Sequence, residues 1–212
     1  IGRFAITDFK GQNRPLTLTE ALVHSSNIAA IKICQKYGLK VQKQYMQTFG
    51  VLQPISLEIP ETGKPLIPSN WNETSMMTIS YGYGISVTPL HTLVALAGVV
   101  NDGYRPAPTL KFVSPQNRSE RIISFKKNPC ISKKTSEIIR KILRKVVKHG
   151  TATADIEGYH VFGKTGTAYQ IVGKGSYGSE VNRKRTTSFI GGFSAKNPRY
   201  VIILMLDNPK AA

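Results

Sequence analysis

The chain has 212 residues, enough for one domain of ordinary size and too few for two domains with substantial separate cores. Its 29 basic and 12 acidic side chains give a net charge of +17, and 20 of the basic ones lie in residues 106–212. This charge favours anionic partners, such as nucleic acid, lipid headgroups or cell-wall polyanions, without choosing among them. The apolar stretches are shorter than the roughly 20 residues of a membrane-spanning helix, so we predict no span.

Metal and disulfide chemistry are not indicated. Cys34 and Cys130 are far apart without CxxC or Cys/His spacing, and the four histidines form no HxxH or HExxH pattern. We therefore expect neither a metal site nor an organic cofactor, and we expect Cys34 to lie in a helix core. The first residue is Ile1, and no secretory signal pattern follows it, so we expect an excised piece of a longer chain.

Helical patterns dominate about residues 1–105. Thr17-Leu18-Thr19-Glu20 has capping-box spacing and predicts a helix start. A polar sequence, His24-Ser25-Ser26-Asn27, separates this helix from a second one that stops at Gly38. A short helix is predicted over Val41–Phe49. Residues 51–72 contain four prolines and predict an ordered loop that Trp71 packs against the helices.

Two further helices are predicted before residue 105. Glu73–Ser80 has a helical pattern, which Tyr81-Gly82-Tyr83-Gly84 interrupts. Thr88 and Pro89 then form an N-cap followed by proline at the first helical position, so the next helix spans Pro89 to about Val100.

Residues 106–212 predict an amphipathic helix followed by a sheet. Ser132–His149 carries a basic face that we expect to be solvated, with contact to anionic headgroups or wall polymers as the alternative. Strand patterns follow at His160–Val172, Thr186–Ser194 and Arg199–Asp207, and the last two indicate an antiparallel hairpin. The apolar stripe of the helix comprises Ile138, Ile139, Ile142, Leu143, Val146 and Val147, and the basic face comprises Arg140, Lys141, Arg144, Lys145 and Lys148.

Two short motifs carry the chemistry. Ser25-Ser26-Asn27 alone is more typical of a polar helix junction, and Lys164-Thr165-Gly166-Thr167 alone is more typical of a surface strand with a small-residue bend. In this order, with Ser80-Tyr81-Gly82-Tyr83-Gly84 between them and Asp207-Asn208-Pro209 after them, the set resembles class B penicillin-binding proteins. Within that class, the cell-division peptidoglycan D,D-transpeptidases of the penicillin-binding protein 3 type are the most similar. The resemblance covers nearly the whole chain.

The resemblance implies a fold, a reaction and partners. The fold is α+β and serine β-lactamase-like: an antiparallel sheet flanked by helices with a helical subdomain. Residues 1–212 would form one partial transpeptidase domain, truncated at both ends. The implied reaction is acyl transfer from D-alanyl-D-alanine through a serine acyl-enzyme. The implied partners are peptidoglycan stem peptides, β-lactam antibiotics and cell-division membrane proteins, and the parent would face the periplasm from the bacterial inner membrane through an N-terminal anchor outside this chain.

The resemblance also implies catalytic roles. Ser25 would relay the proton to the leaving group, and Asn27 would hydrogen-bond the substrate amide and help orient the lysine of the nucleophile. Lys164 would supply positive potential beside Ser25.

The implied substrate-binding residues follow Lys164 on the same strand. The hydroxyls of Thr165 and Thr167 would bind the terminal carboxylate, and the amide of Thr167 would form half of the oxyanion hole. Gly166 would keep the strand face open to the substrate backbone. Tyr83 either lines the substrate groove or packs a turn.

One part of the family pattern is missing. In the family, the nucleophilic serine lies in an SxxK motif upstream of the SxN motif, which is Ser25-Ser26-Asn27 in this chain. The 24 residues before Ser25 contain no serine. Ser124-Phe125-Lys126-Lys127 has the spacing but stands in the wrong order, and we interpret it as coincidence. We therefore expect the nucleophile upstream of Ile1 and the isolated chain to be inactive.

Other functional classes remain open. One is a non-catalytic remnant that binds peptidoglycan or a division partner, and another is a serine β-lactamase-like hydrolase. Nucleic-acid binding is disfavoured, because Ser132–His149 contains no aromatic residue to stack on bases.

Overall fold

The structure is a computed structural model, and it describes residues 1, 5–114, 117, 128–171 and 184–210. The Ser124–Lys127 string lies outside the described residues.

Four helices precede residue 105. They are α1 (Leu18–Val23), α2 (Asn27–Thr48), α3 (Glu73–Ser80) and α4 (Pro89–Val100). Each starts after a polar N-cap whose side chain accepts a hydrogen bond from a first-turn amide, namely Thr17, Ser26, Asn72 and Thr88. The predicted capping box of α1 and the predicted starts of α3 and α4 are confirmed.

Gly38 interrupts α2 as predicted. Its φ of 80° and ψ of 169° are not helical, so α2 consists of two helical arms that meet there. A glycine tolerates this positive φ without the steric penalty of a Cβ. Residues 51–72 form the expected ordered loop, whose one bridge pairs Leu66 with Ser86.

Among the described residues after 128, the structure has one long helix, a short 3₁₀ turn and a sheet. Helix α5 spans Lys133–His149, and the 3₁₀ turn spans Ala152–Ala154. Strands β1 (Phe162–Tyr169), β2 (Arg185–Phe193) and β3 (Tyr200–Asp207) form an antiparallel sheet in the order β1-β2-β3. The α+β class with an antiparallel sheet and the predicted β2–β3 hairpin are confirmed.

One core cluster lies between this sheet and helices α4 and α5. Phe162 on β1 is fully buried against Val100 of α4 and Leu143 of α5. Because Val201 on β3 packs in the same cluster, one face of the sheet is attached to both helices. The sheet that carries the lysine motif is therefore held by burial of apolar surface rather than by its own ladder alone.

A second core cluster surrounds Trp71, whose core role was predicted. Trp71 is buried with Met76 and Ile79 of α3, and its Nε1 donates to Oε1 of Gln42 at 3.2 Å. Cys34 packs against this cluster, where burial raises the pKa of its thiol.

The predicted faces of α5 are wrong at two positions. Ile138, assigned to the apolar stripe, is 48% exposed, whereas Arg140, assigned to the solvated face, is only 7% exposed. Arg140 is buried because it has partners there: its Nη1 donates to the Val100 carbonyl at 2.7 Å and to Asp102 Oδ1 at 2.9 Å. Arg144, also assigned to the solvated face, has protein partners as well: it donates to the Val161 carbonyl and to the carboxylate of Asp155.

Candidate active site

The SxN motif forms the turn between α1 and α2. Ser25 is exposed and has a left-handed φ of 54°, which bends the chain between the two helices. Ser26 is buried and is the N-cap of α2, where its Oγ accepts from the amide of Ala29 at 3.0 Å. Asn27 is the first residue of α2. The motif thus places its first and third residues on either side of a buried cap.

A segment far upstream in the sequence binds this turn. The Asp8 carboxylate accepts from Ser26 Oγ at 2.7 Å and from the amide of Ile28 at 3.0 Å. The side-chain amide of Asn27 donates to the Thr7 carbonyl at 3.1 Å. The turn therefore has hydrogen bonds to residues that do not belong to the motif.

The motif Lys164-Thr165-Gly166-Thr167, called KTG below, occupies the middle of β1. This strand pairs with β2 and is an edge strand of the described three-stranded sheet. Side chains alternate between the two faces of a strand. Lys164 and Gly166 consequently share the face of buried Phe162, and Thr165 and Thr167 lie on the opposite face and are exposed. A Cβ on Gly166 would stand 3.0 Å from Ser188 Oγ, close enough that this hydroxyl would have to shift, and would meet no other described atom within 4 Å.

The edge of β1 that faces away from β2, called its outer edge below, is bound by the hydroxyl of Tyr83. The amide of Tyr169 donates to the hydroxyl of Tyr83 at 3.1 Å, away from the β2 ladder. Because amide directions alternate along a strand, the amides of Thr165 and Thr167 point to this same outer edge. The Tyr81-Gly82-Tyr83-Gly84 segment is thereby attached to the far end of the KTG strand.

Lys164 lies at this edge. Its Nζ donates to the Thr165 carbonyl at 2.8 Å, and burial lowers the pKa of the ammonium. A partly desolvated ammonium exerts a stronger field on a neighbouring group than a fully hydrated one. The lysine is thus suited to stabilising developing negative charge.

Helix α5 connects the two motifs. It packs against β1 and also against α1, which leads directly into Ser25. Its C-cap, Gly150, lies so close to the end of α1 that a Cβ there would stand 2.9 Å from the Val23 carbonyl oxygen. No hydrogen bond joins Ser25 or Asn27 to Lys164 in the part of the chain that the structure describes.

Sequence reasoning missed three polar residues around the site. Asp8 is separated from Ser26 by 18 positions, so no local spacing could have identified its cap. Thr7 acts through its carbonyl, which has no sequence signature. Gln170 follows β1 and donates to Thr186 Oγ1 at 2.8 Å and to the Asp207 carboxylate, which connects the Asp-Asn-Pro motif to the KTG strand.

Among the residues that the structure describes, no group of three or more His, Cys, Asp and Glu side chains could hold a metal ion. No described helix combines the length and apolar character needed to cross a bilayer.

Comparisons with curated proteins give relatives with related names. The Caulobacter vibrioides protein named as a probable peptidoglycan D,D-transpeptidase FtsI is 28% identical over 99% of this chain and 36% of its own length. Penicillin-binding protein PbpB of Mycobacterium tuberculosis is 32% identical over 92% of this chain and 30% of its own length. The chain thus spans about a third of the length of these relatives.

Solved structures agree in fold. The transpeptidase domain of Burkholderia pseudomallei penicillin-binding protein 3 superposes with a TM-score of 0.82 at 30% identity, over 96% of this chain and 60% of that one. Mycobacterium tuberculosis penicillin-binding protein 3 in complex with ampicillin superposes with the same TM-score at 30% identity, over 97% of this chain and 48% of that one. The sequence profile of the penicillin binding protein transpeptidase domain matches residues 1–212. The chain belongs to the penicillin-binding protein transpeptidase domain family.

Proposed function

We propose that the chain supplies the SxN and KTG parts of the active site of a peptidoglycan D,D-transpeptidase that cross-links stem peptides during septal wall synthesis. In this proposal, the nucleophilic serine and its lysine base belong to an SxxK motif that precedes Ile1 in the natural protein. The protein faces the periplasm from the bacterial inner membrane, works with cell-division membrane proteins and is a target of penicillins.

The observation that carries the proposal is the outer edge of β1. The hydrogen bond from Tyr169 to Tyr83 lies on this edge, and the amides of Thr165 and Thr167 point to it as well. An extended peptide can pair with such an edge through its backbone. In the proposed complex, the amide of Thr167 then donates to the oxyanion, and the hydroxyls of Thr165 and Thr167 bind the terminal carboxylate.

The proposed reaction has two acyl-transfer steps. The nucleophilic serine gives its proton to the lysine base, and its oxygen attacks the carbonyl of the penultimate D-alanine. The peptide bond breaks, and the leaving D-alanine takes the proton that Ser25 relays from the base. An amine of a second stem peptide then attacks the ester and loses a proton, and the released serine oxygen takes one up. Lys164 stabilises negative charge in both steps, and Asn27 orients the substrate amide and the lysine base.

Labelling by a fluorescent penicillin tests the proposal, because a β-lactam acylates the same serine. In the natural full-length protein, we expect Lys164→Met to lower the second-order acylation rate at least 100-fold. Lys196→Met is the matched control: this lysine is exposed in the turn between β2 and β3, and its loss should change the rate less than twofold. A full-length protein that is never acylated would leave a non-catalytic binding role, and rapid release of the label would favour a β-lactamase-like hydrolase.

A further inference from the structure

The residue that holds the SxN turn in place is Asp8. Both oxygens of its carboxylate are used: Oδ2 accepts from the hydroxyl of Ser26 at 2.7 Å and Oδ1 accepts from the amide of Ile28 at 3.0 Å. The two bonds cross from a segment before α1 to the start of α2. Asp8 therefore forms a second N-cap on α2, in addition to the local cap that Ser26 provides.

The need for this second cap follows from helix geometry. The first amides of a helix have no acceptor within the helix, and Ile28 is one of them. A carboxylate at this end also interacts favourably with the helix dipole. Ser26 Oγ already accepts from the amide of Ala29, and Asp8 accepts from the amide of Ile28, which Ser26 does not bind.

The neighbouring residue strengthens the attachment. Asn27 donates through its side-chain amide to the Thr7 carbonyl at 3.1 Å, so two consecutive residues of the segment bind two consecutive residues of the turn. This bond also fixes which way the Asn27 amide is turned. Ser25, whose left-handed backbone is intrinsically unfavourable for a non-glycine residue, directly precedes the bound pair.

We infer that Asp8 is a positioning residue of the transpeptidase site: it fixes the geometry of Ser25 and Asn27 without touching the substrate. The inference rests on the proposed function for its catalytic consequence, although the local hydrogen bonds can be tested without catalysis. Asp8→Asn keeps the geometry, because an amide oxygen still accepts from Ile28 and the amide nitrogen can donate to Ser26. Asp8→Leu keeps the same branched side-chain skeleton, with methyl groups in place of the carboxylate oxygens, and removes both acceptors.

The first arm of the test measures hydrogen exchange in the natural full-length protein, with residue resolution over 26–31. We expect the Ile28 amide to exchange at least tenfold faster in Asp8→Leu and within threefold of wild type in Asp8→Asn. Asp155→Leu is the matched control, since Asp155 also accepts two side-chain hydrogen bonds but receives them from Arg144, away from the SxN turn. Unchanged Ile28 exchange in Asp8→Leu would overturn the inference, whatever the enzyme does.

The second arm measures penicillin acylation well below the melting temperature of each variant. Asp8→Leu should lower the acylation rate at least tenfold, and Asp8→Asn should restore it to within threefold. If Asp8→Leu does not fold, Asp8→Ala replaces it, because this change also removes both acceptors, adds no bulk and leaves the Ser26 cap on Ala29 in place. Equal rates for Asp8→Leu, Asp155→Leu and wild type would show that Asp8 only stabilises the fold and would overturn the positioning role. A wild-type protein that is never acylated would instead contradict the proposed function, while the exchange arm still decides the local role of Asp8.

Discussion

Replacing Arg140 tests whether a charged residue within α5 belongs to the core. Arg140 donates to the Val100 carbonyl at 2.7 Å, to Asp102 Oδ1 at 2.9 Å and to Ser136 Oγ at 3.1 Å. Val100 is the last residue of α4, so its carbonyl accepts no hydrogen bond from within the helix. The Arg140 guanidinium also places a positive charge at the negative end of the α4 dipole. Arg140→Met retains most of the aliphatic packing and removes all of these bonds.

The expected loss in the free energy of unfolding is about 3 kcal/mol. An unsatisfied buried carbonyl costs about 1–3 kcal/mol. The bond to Asp102 adds about 1 kcal/mol, discounted because the Asp102 side chain is 38% exposed and keeps Lys133 at 3.6 Å. In a domain of this size, such a loss lowers the melting temperature by roughly 6–12 °C.

The assay is urea and thermal unfolding of the natural protein, with the transition of this domain followed by circular dichroism. Lys141→Met is the control, because it removes the same charge from the next, exposed position and should change stability by less than about 0.5 kcal/mol. Arg140 lowers the pKa of Asp102 through its hydrogen bond. The Asp102 part of the effect is therefore present above about pH 4 and is lost as the pH falls through the lower native pKa. Equal stability of the Arg140 and Lys141 variants would refute the buried role.

Two further predictions concern local structure. The side-chain hydrogen bond from Arg14, followed by the bonds from Thr17, lowers the pKa of Glu20 to about 2, so a carboxyl-carbon NMR titration should find it there, and Arg14→Met should move it back towards its usual value. Because this pKa is depressed, any support that the carboxylate gives to the capping box is present above about pH 4.3 and disappears only as the pH approaches 2. Gly103→Ala should prevent folding or destabilise by more than about 3 kcal/mol, because its Cβ would lie 1.9 Å from the Ile131 carbonyl oxygen at a φ of 91°. Gly82→Ala is the comparison: it has a φ of 101° but open space, so only backbone strain of about 1 kcal/mol should appear in chemical unfolding, and equal losses at the two glycines would contradict the steric argument.

The helices and strands were predictable because their signals are local. The Thr17–Glu20 capping box, the Thr88-Pro89 start and the break at Gly38 each depend on a few adjacent residues. Strand β1 is shorter than the predicted His160–Val172, since it begins at Phe162 and ends at Tyr169. The sequence pattern placed Arg140 on the solvated face of α5 because of its charge. Its burial depends instead on the Val100 carbonyl and the Asp102 carboxylate at the end of α4, which no pattern within α5 shows.

The candidate site was predictable in composition but not in arrangement. Motif recognition selected Ser25, Asn27 and Lys164, and their catalytic roles stay predictions. The sequence could not show that Asp8 caps the SxN turn or that the Tyr83 hydroxyl meets the amide of Tyr169, because both pairs are distant along the chain. Hydrogen bonds between distant residues have no periodic pattern.

Each of these hydrogen bonds between distant residues is formed at the end of a helix or a strand. Asp8 lies at the junction of α1 and α2, Arg140 at the end of α4, and Tyr83 at the outer end of β1. Helices and strands end with unsatisfied backbone groups, and a site built from the ends of several elements gathers such groups. A side chain that satisfies one of them also fixes the position of one element relative to another. For this reason, we expect the geometry of the SxN turn and of the KTG strand to depend on residues outside both motifs, with Asp8 as the most direct case at the SxN turn.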